Sequence, residues 1–156
     1  SRAMVIHRTD YAPRTTLDLR DVAVEVVEQS DDLLAGIGDA VELILPGAPV
    51  ALRGDALSLT EAGKNFVSNA VRHGRPPIRV GVTAGPEPSL WVEDSGPGPE
   101  VSVMSSLGTR FSRLDGGGIG LAIAREVAEA HQGRLTADTR PDGFRIALVL
   151  RAEAAS

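Results

Sequence analysis

Three stretches of this chain carry side chains whose types and spacing suit phosphate and metal chemistry. In "NFVSNAVRHG", Asn65, Asn69, Arg72 and His73 share a sector roughly 100° wide if the segment is helical, at about 100° per residue. Asparagine is a poor helix former, because its amide competes with the backbone at a cost on the order of 0.5 kcal/mol each. A solvated polar face is the plain reading of any one of these residues. As a set they offer more, since an amide oxygen is a hard, neutral ligand that holds Mg²⁺ and leaves most of the ion's shell to phosphate and water. Arg72 would then favour phosphate, and the flat ring of His73 could pack on a base.

In "WVEDSGPGPE", a strand pattern ends on Asp94 and is followed at once by Gly96 and Gly98. An ordinary Asp-Ser-Gly turn out of a sheet has the same composition. Yet a carboxylate at a strand's end points into whatever lies above the sheet. There it accepts from an exocyclic amine and repels a carbonyl, which selects adenine over guanine, and the glycines let backbone approach a flat base.

The third stretch, "GGGIGLAIAREVAEAHQG", sets Gly116, Gly117, Gly118, Ile119, Gly120 and Leu121 at the start of a helical pattern. The first N–H groups of a helix lack partners within it and sit at the positive end of its dipole, so they bind phosphate. Glycines clear the way for that approach, although a flexible linker has the same composition. Neither common phosphate fingerprint is present. No glycine stands three residues after Gly118 or Gly120, a loop and not a strand comes before them, and no GxxxxGK[ST] occurs.

The elements that must position these residues are legible from apolar spacing. Leu19, Val22, Ala23, Val26 and Val27 mark one face of a helix over 17–29, with Thr16 available as its cap. Short apolar runs predict strands near 41–45 and 49–53. Leu59, Ala62, Phe66 and Ala70 stripe a second helix, with a Ser58/Glu61 capping box at its start and Gly74, Pro76 and Pro77 ending it. "IRVGVTA" and "SLWVED" read as a hairpin around "GPEP", and "RLTADT" and "FRIALVL" as another around "RPDG". Between them lie a long loop over 95–118 and a third helix over 119–132, which leaves His131 as a surface or cap residue. Alternation alone makes Trp91 a core residue and not a ligand contact. This order predicts an α+β fold in two layers, a mixed and mostly antiparallel sheet covered on one face by three helices.

Composition excludes several classes. At 156 residues, with 42% apolar and 24% charged, the chain suits one soluble domain. We divide it into a lead-in over 1–16, a domain over 17–152 and a tail over 153–156. Its opening Ser1-Arg2-Ala3-Met4 reads as an expression scar on a piece of a larger protein. A net charge of −5 gives no footprint for nucleic acid. With no cysteine and three scattered histidines, disulfides and zinc are disfavoured. No apolar run approaches the roughly 20 residues of a membrane span.

In order and spacing, "NFVSNAVRHG", "DSGPG" and "GGGIGLAIA" resemble the N, G1 and G2 boxes of the ATP-binding catalytic domain of sensor histidine kinases, within the superfamily shared with gyrase-type ATPases. The likeness covers about residues 17 to 150. It implies the two-layer sandwich called the Bergerat fold, with 95–118 as an ATP lid. It also implies that Asn69 ligates Mg²⁺ and that Asn65 supports the ion or the phosphates, the two serving as catalytic residues. Arg72 would face phosphate, His73 would lie against adenine, and Asp94 would take the adenine amino group. Gly96, Gly98, Gly116, Gly117, Gly118, Ile119, Gly120 and Leu121 would complete the nucleotide site. Phe111 resembles the lid's aromatic, with Arg113 approaching the phosphates.

The branches of that superfamily that hydrolyse ATP or phosphorylate serine usually carry a glutamate four positions before the magnesium asparagine, and this chain has Asn65 there. The resemblance therefore implies transfer of the γ-phosphate to a histidine, a nucleophile that needs no base when neutral. No His-Glu or His-Asp phosphoacceptor motif occurs, so the accepting histidine is expected on a separate dimerisation domain, with a response regulator downstream. The isolated domain is expected to be a monomer and to work in the cytoplasm, as part of a membrane-bound sensor. The alternatives are an anti-sigma-like or degenerate nucleotide-binding interaction module, suggested by a lid poor in charge, and a self-contained ATPase.

Overall fold

A computed structural model describes residues 14–37, 41–98 and 121–152. The chain enters through β1 (Thr15–Asp18), then α1 (Leu19–Gln29), the short α2 (Asp31–Leu34) and a 3₁₀ turn over Ala35–Ile37. β2 (Val41–Ile44) and β3 (Ala51–Gly54) lead into the long α3 (Ala56–His73), and the hairpin of β4 (Ile78–Thr83) and β5 (Ser89–Asp94) follows. α4 (Ala122–Ala130) precedes a second hairpin, β6 (Arg134–Arg140) and β7 (Gly143–Val149).

Five strands form one sheet in the order β2-β4-β5-β7-β6, with β2 parallel to β4 and every other pair antiparallel. Ile78, Val80, Val82, Leu90, Val92, Phe144, Ile146 and Leu148 come from its inner strands. They share one core with Leu19, Val22 and Val26 of α1, Leu59, Phe66 and Val67 of α3, and Ala124 and Val127 of α4. Period-two and period-3.6 apolar stripes thus meet face to face, which gives the expected sandwich of three main helices on a mixed sheet. The small helix α2 adds to that layer.

The other strands and caps differ from expectation in instructive ways. β3 begins two residues later than its apolar run and does not join the main sheet. It pairs with β1, Thr15 opposite Gly54 and Asp18 opposite Ala51. That pairing keeps the chain extended through Asp18, so Thr16 lies in a strand and Asp18 becomes the cap of α1. Its carboxylate accepts from the N–H of Arg20 at 3.0 Å and of Val50 at 3.0 Å. The Arg20 guanidinium beside it, with these two donors, holds its pKa at about 2.

The Ser58/Glu61 box does not form. Asp55 caps α3 one turn earlier, accepting from Leu57 N, and the Ser58 hydroxyl donates to Asp55 Oδ2 at 2.9 Å. A carboxylate satisfies more N–H donors than a hydroxyl, so it wins where both are available. Of the expected third helix, 122–130 is helical and 119–120 lie outside the described residues, as do 99–118 of the expected lid.

Candidate functional site

α3 is the element on which the candidate residues are organised. It packs between α1 and α4 and over β5, which turns one flank of the helix inward. Asn69 lies on that flank, 7% exposed, and Asn65, one turn earlier, is half-buried. Asn65 Oδ1 and Asn69 Nδ2 are both buried and have no hydrogen-bond partner among the described residues. A buried polar atom left unpaired costs about 1–3 kcal/mol, so a helix that holds two of them one turn apart is shaped for a polar ligand. An amide offers a donor and an acceptor. Two such groups side by side suit a cation next to an anion, as in a magnesium phosphate.

Asp94 stands at the end of β5, the strand over which α3 packs. Opposite Phe144 of β7, it is 6% exposed. Its Oδ1 accepts from Gly96 N at 2.6 Å and from Arg75 N at 3.4 Å. Both recorded bonds fall on one oxygen, which leaves Oδ2 to accept from an amine among the described residues' surroundings. Burial pushes the carboxyl above its ordinary pKa of 3.8; the two backbone donors oppose that shift, and neighbouring Glu93 adds to it. Gly96 is buried beside the carboxylate, and Gly98, with φ of 82°, turns the chain against the ring of Phe144.

The remaining expected residues divide three ways. Arg72 and His73 occupy the exposed last turn of α3, with Arg72 Nη1 3.5 Å from Ser68 Oγ. They stand at the rim of the site, not in its floor. Leu121 is fully buried just before α4. Its side chain belongs to the core, and its carbonyl accepts from Arg125 N at 2.9 Å, so it anchors the start of α4. Arg113, Gly116, Gly117, Gly118, Ile119 and Gly120, together with Phe111, lie outside the described residues.

Two polar clusters escaped the sequence reading. Of the two places expected for His131, surface or cap, it takes the cap of α4, and it is buried there. Its Nδ1 lies 2.9 Å from Val127 O, and its Nε2 accepts from Asp55 N at 3.1 Å. With Nδ1 protonated and donating, the ring is neutral, and burial pushes its pKa below 6.5. On the far side of the sheet, buried Glu93 gathers Arg79 and Arg145 at 2.9 Å and Arg140 at 3.6 Å. Arg145 also stacks 3.8 Å above the ring of buried Trp91, whose Nε1 donates to Thr83 Oγ1 at 3.1 Å. Trp91 is thus buried as expected, but outside the helix-facing core.

Comparison with known proteins identifies the family and the fold. The family described as histidine kinase-, DNA gyrase B-, and HSP90-like ATPase matches residues 54–154. The probable sensor histidine kinase TcrY of Mycobacterium tuberculosis is 34% identical, over 82% of this chain and 29% of its own length. Sensor protein BasS of Salmonella typhimurium is 31% identical, over 80% of this chain and 36% of its own. The chain therefore spans about a third of the length of these two relatives. The solved histidine kinase domain of the E. coli osmosensor EnvZ superposes with a TM-score of 0.73 at 28% identity, covering 92% of each chain.

Proposed function

This chain belongs to the family of histidine kinase-, DNA gyrase B- and HSP90-like ATPases, and from that membership we propose that it is the catalytic domain of a two-component sensor kinase, passing the γ-phosphate of ATP to a histidine on a separate dimerisation domain. The observation that carries this reading is the meeting, around one helix, of two amides with unpaired buried atoms and one buried carboxylate. Family membership assigns ATP as the nucleotide. Asp94 Oδ2 accepts from the adenine amino group while Oδ1 stays held by Gly96 and Arg75. As the family resemblance implies, Asn69 would hold Mg²⁺ through its amide oxygen, and Asn65, whose Oδ1 is the buried oxygen left unpaired among the described residues, would support the ion or an adjacent phosphate. When bound, the ion neutralises charge on the β- and γ-phosphates. In this reading Arg72 would draw phosphate inward and His73 would cover the base.

Asn65 decides the reaction type. A glutamate there could take a proton from water or a hydroxyl, whereas an amide cannot at neutral pH, so position 65 supplies no base for hydrolysis. A neutral imidazole needs none. Its phosphorylation is a matter of holding the triphosphate in line until the acceptor arrives. Among the described residues His131 is buried and bonded at both ring nitrogens and His73 is assigned to the base, which supports an acceptor on another domain. In this reading the domain acts on the cytoplasmic side of a membrane-bound sensor and serves a response regulator; none of its described helices is long and apolar enough to cross a membrane.

The test is transfer in trans. The chain is incubated with Mg²⁺, γ-labelled ATP and the separately produced dimerisation domain of its parent protein. Label that is stable to base and labile to acid should appear on that domain. Steady release of inorganic phosphate with no labelled histidine would instead make the chain an ATPase.

A further inference from the structure

Gly74 looks in the sequence like a helix terminator, chosen because glycine enters the left-handed region without strain. The structure gives a different reason for it. As the C-cap of α3 it has φ of −102° and ψ of −156°, with its N–H donating to Ala70 O at 3.0 Å. That is extended backbone which any residue adopts. What excludes a side chain is Asp94, 20 residues further on: a Cβ on Gly74 would lie 2.3 Å from the carboxylate carbon and 2.4 and 2.5 Å from its two oxygens. No pair of unbonded heavy atoms comes so close.

The carboxylate has little room to yield. Oδ1 is held by the N–H groups of Gly96 and Arg75, and the strand behind it is fixed by pairing with β7 at Phe144. A Cβ on Gly143, across that ladder, would meet Asp94 O at 2.1 Å, and one on Gly96 would meet Oδ1 at 3.0 Å. The acid is thus enclosed by three glycines from three separate segments. Only Gly74 faces both carboxylate oxygens. Ser95 N donates to Arg75 O at 2.8 Å, which clamps the segment after Gly74 against the turn after Asp94.

We infer that Gly74 is a positioning residue for base specificity, its missing side chain being the space in which the Asp94 carboxylate is held with Oδ2 free for an exocyclic amine. This inference rests on the reading of Asp94 as the adenine acceptor, and the experiment separates the two. Calorimetry measures ATP and GTP affinity for wild type, Gly74→Ala, Asp94→Ala and the double variant, with thermal unfolding of each. Wild type should prefer ATP. Gly74→Ala should weaken ATP by about tenfold or more, the scale of a lost charged hydrogen bond, and leave GTP nearly unchanged, so that the preference collapses. In the Asp94→Ala background the alanine should alter neither affinity nor midpoint, because the group it strikes is gone.

An unchanged ATP/GTP ratio in Gly74→Ala overturns the inference, as does a parallel loss for both nucleotides. So does an equal fall in midpoint with and without the Asp94 carboxylate, including a single variant that fails to fold and is not rescued in the double. A wild type with no ATP preference removes instead the reading of Asp94, and the unfolding comparison still decides whether Gly74 makes room for the acid.

Discussion

Asp94 and Asn69 show how far single side chains depart from their behaviour in water. Burial raises the pKa of Asp94, with two consequences of opposite direction. The adenine amine needs the ionised form, so ATP affinity should fall as pH drops through the raised value, at a pH where an exposed aspartate would still be charged. Stability runs the other way. The native state keeps this proton to higher pH than the unfolded chain, so the contribution of Asp94 to stability declines as pH rises from 3.8 through the folded value. Asp94→Asn should lower ATP affinity by about 1.5–3 kcal/mol and abolish the acid limb of binding; calorimetry across pH that finds neither change would remove the adenine assignment. Asn69→Ala should abolish the Mg²⁺ dependence of nucleotide binding. If titrations with and without the ion still differ as they do in wild type, the ligand is another residue.

At the scale of elements, the site depends on where α3 starts and ends. Its end is set by Gly74 against Asp94, and its start by Asp55, whose side chain caps the helix while its own N–H is taken by His131 at the end of α4. One neutral imidazole therefore ties the helix carrying Asn65 and Asn69 to the helix that follows the glycine-rich stretch. The groups around the ring divide in their effect, Arg14 lowering its pKa and Asp55 raising it, with burial the larger influence. Because the folded pKa lies below 6.5, the unfolded chain takes up a proton first as pH falls. Stability from this residue is complete above about pH 6.5 and is lost below it, by at most about 1.4 kcal/mol per pH unit. Melting curves from pH 7.5 to 5 should fall less steeply for His131→Gln than for wild type; parallel curves would show that the ring titrates alike in both states.

For the whole molecule, the layout fits the proposed transfer to a partner domain. The sheet's helix-covered face supplies the core and the site, while its far face is closed by the Glu93 arginine cluster and by Arg145 over Trp91. Neither surface presents an accessible histidine among the described residues other than His73 at the rim of the site itself. The chain incubated alone with Mg²⁺ and labelled ATP should therefore bind nucleotide yet retain no acid-labile label after gel filtration. Label on the chain itself would mean that it carries its own acceptor.

Much of this was legible in the sequence because it is written over short distances. The stripe Leu59, Ala62, Phe66, Ala70, the alternation through "SLWVED" and the turn "RPDG" each specify an element within a few residues, since backbone geometry and apolar burial act at that range. The spacing of Asn65 and Asn69 placed both on one flank of α3, and the strand ending at Asp94 placed a carboxylate above the sheet. Other features depended on segments brought together only by packing. These include the pairing of Thr15–Asp18 with β3, the bond from Asp55 to a histidine 76 residues away, and the fit of Gly74 against Asp94. Sequence thus determined which groups the protein offers for the magnesium nucleotide we propose. Tertiary structure decided which of them are buried, which atoms are left unpaired, and why position 74 has no side chain, because steric exclusion and desolvation exist only once distant segments share the same space.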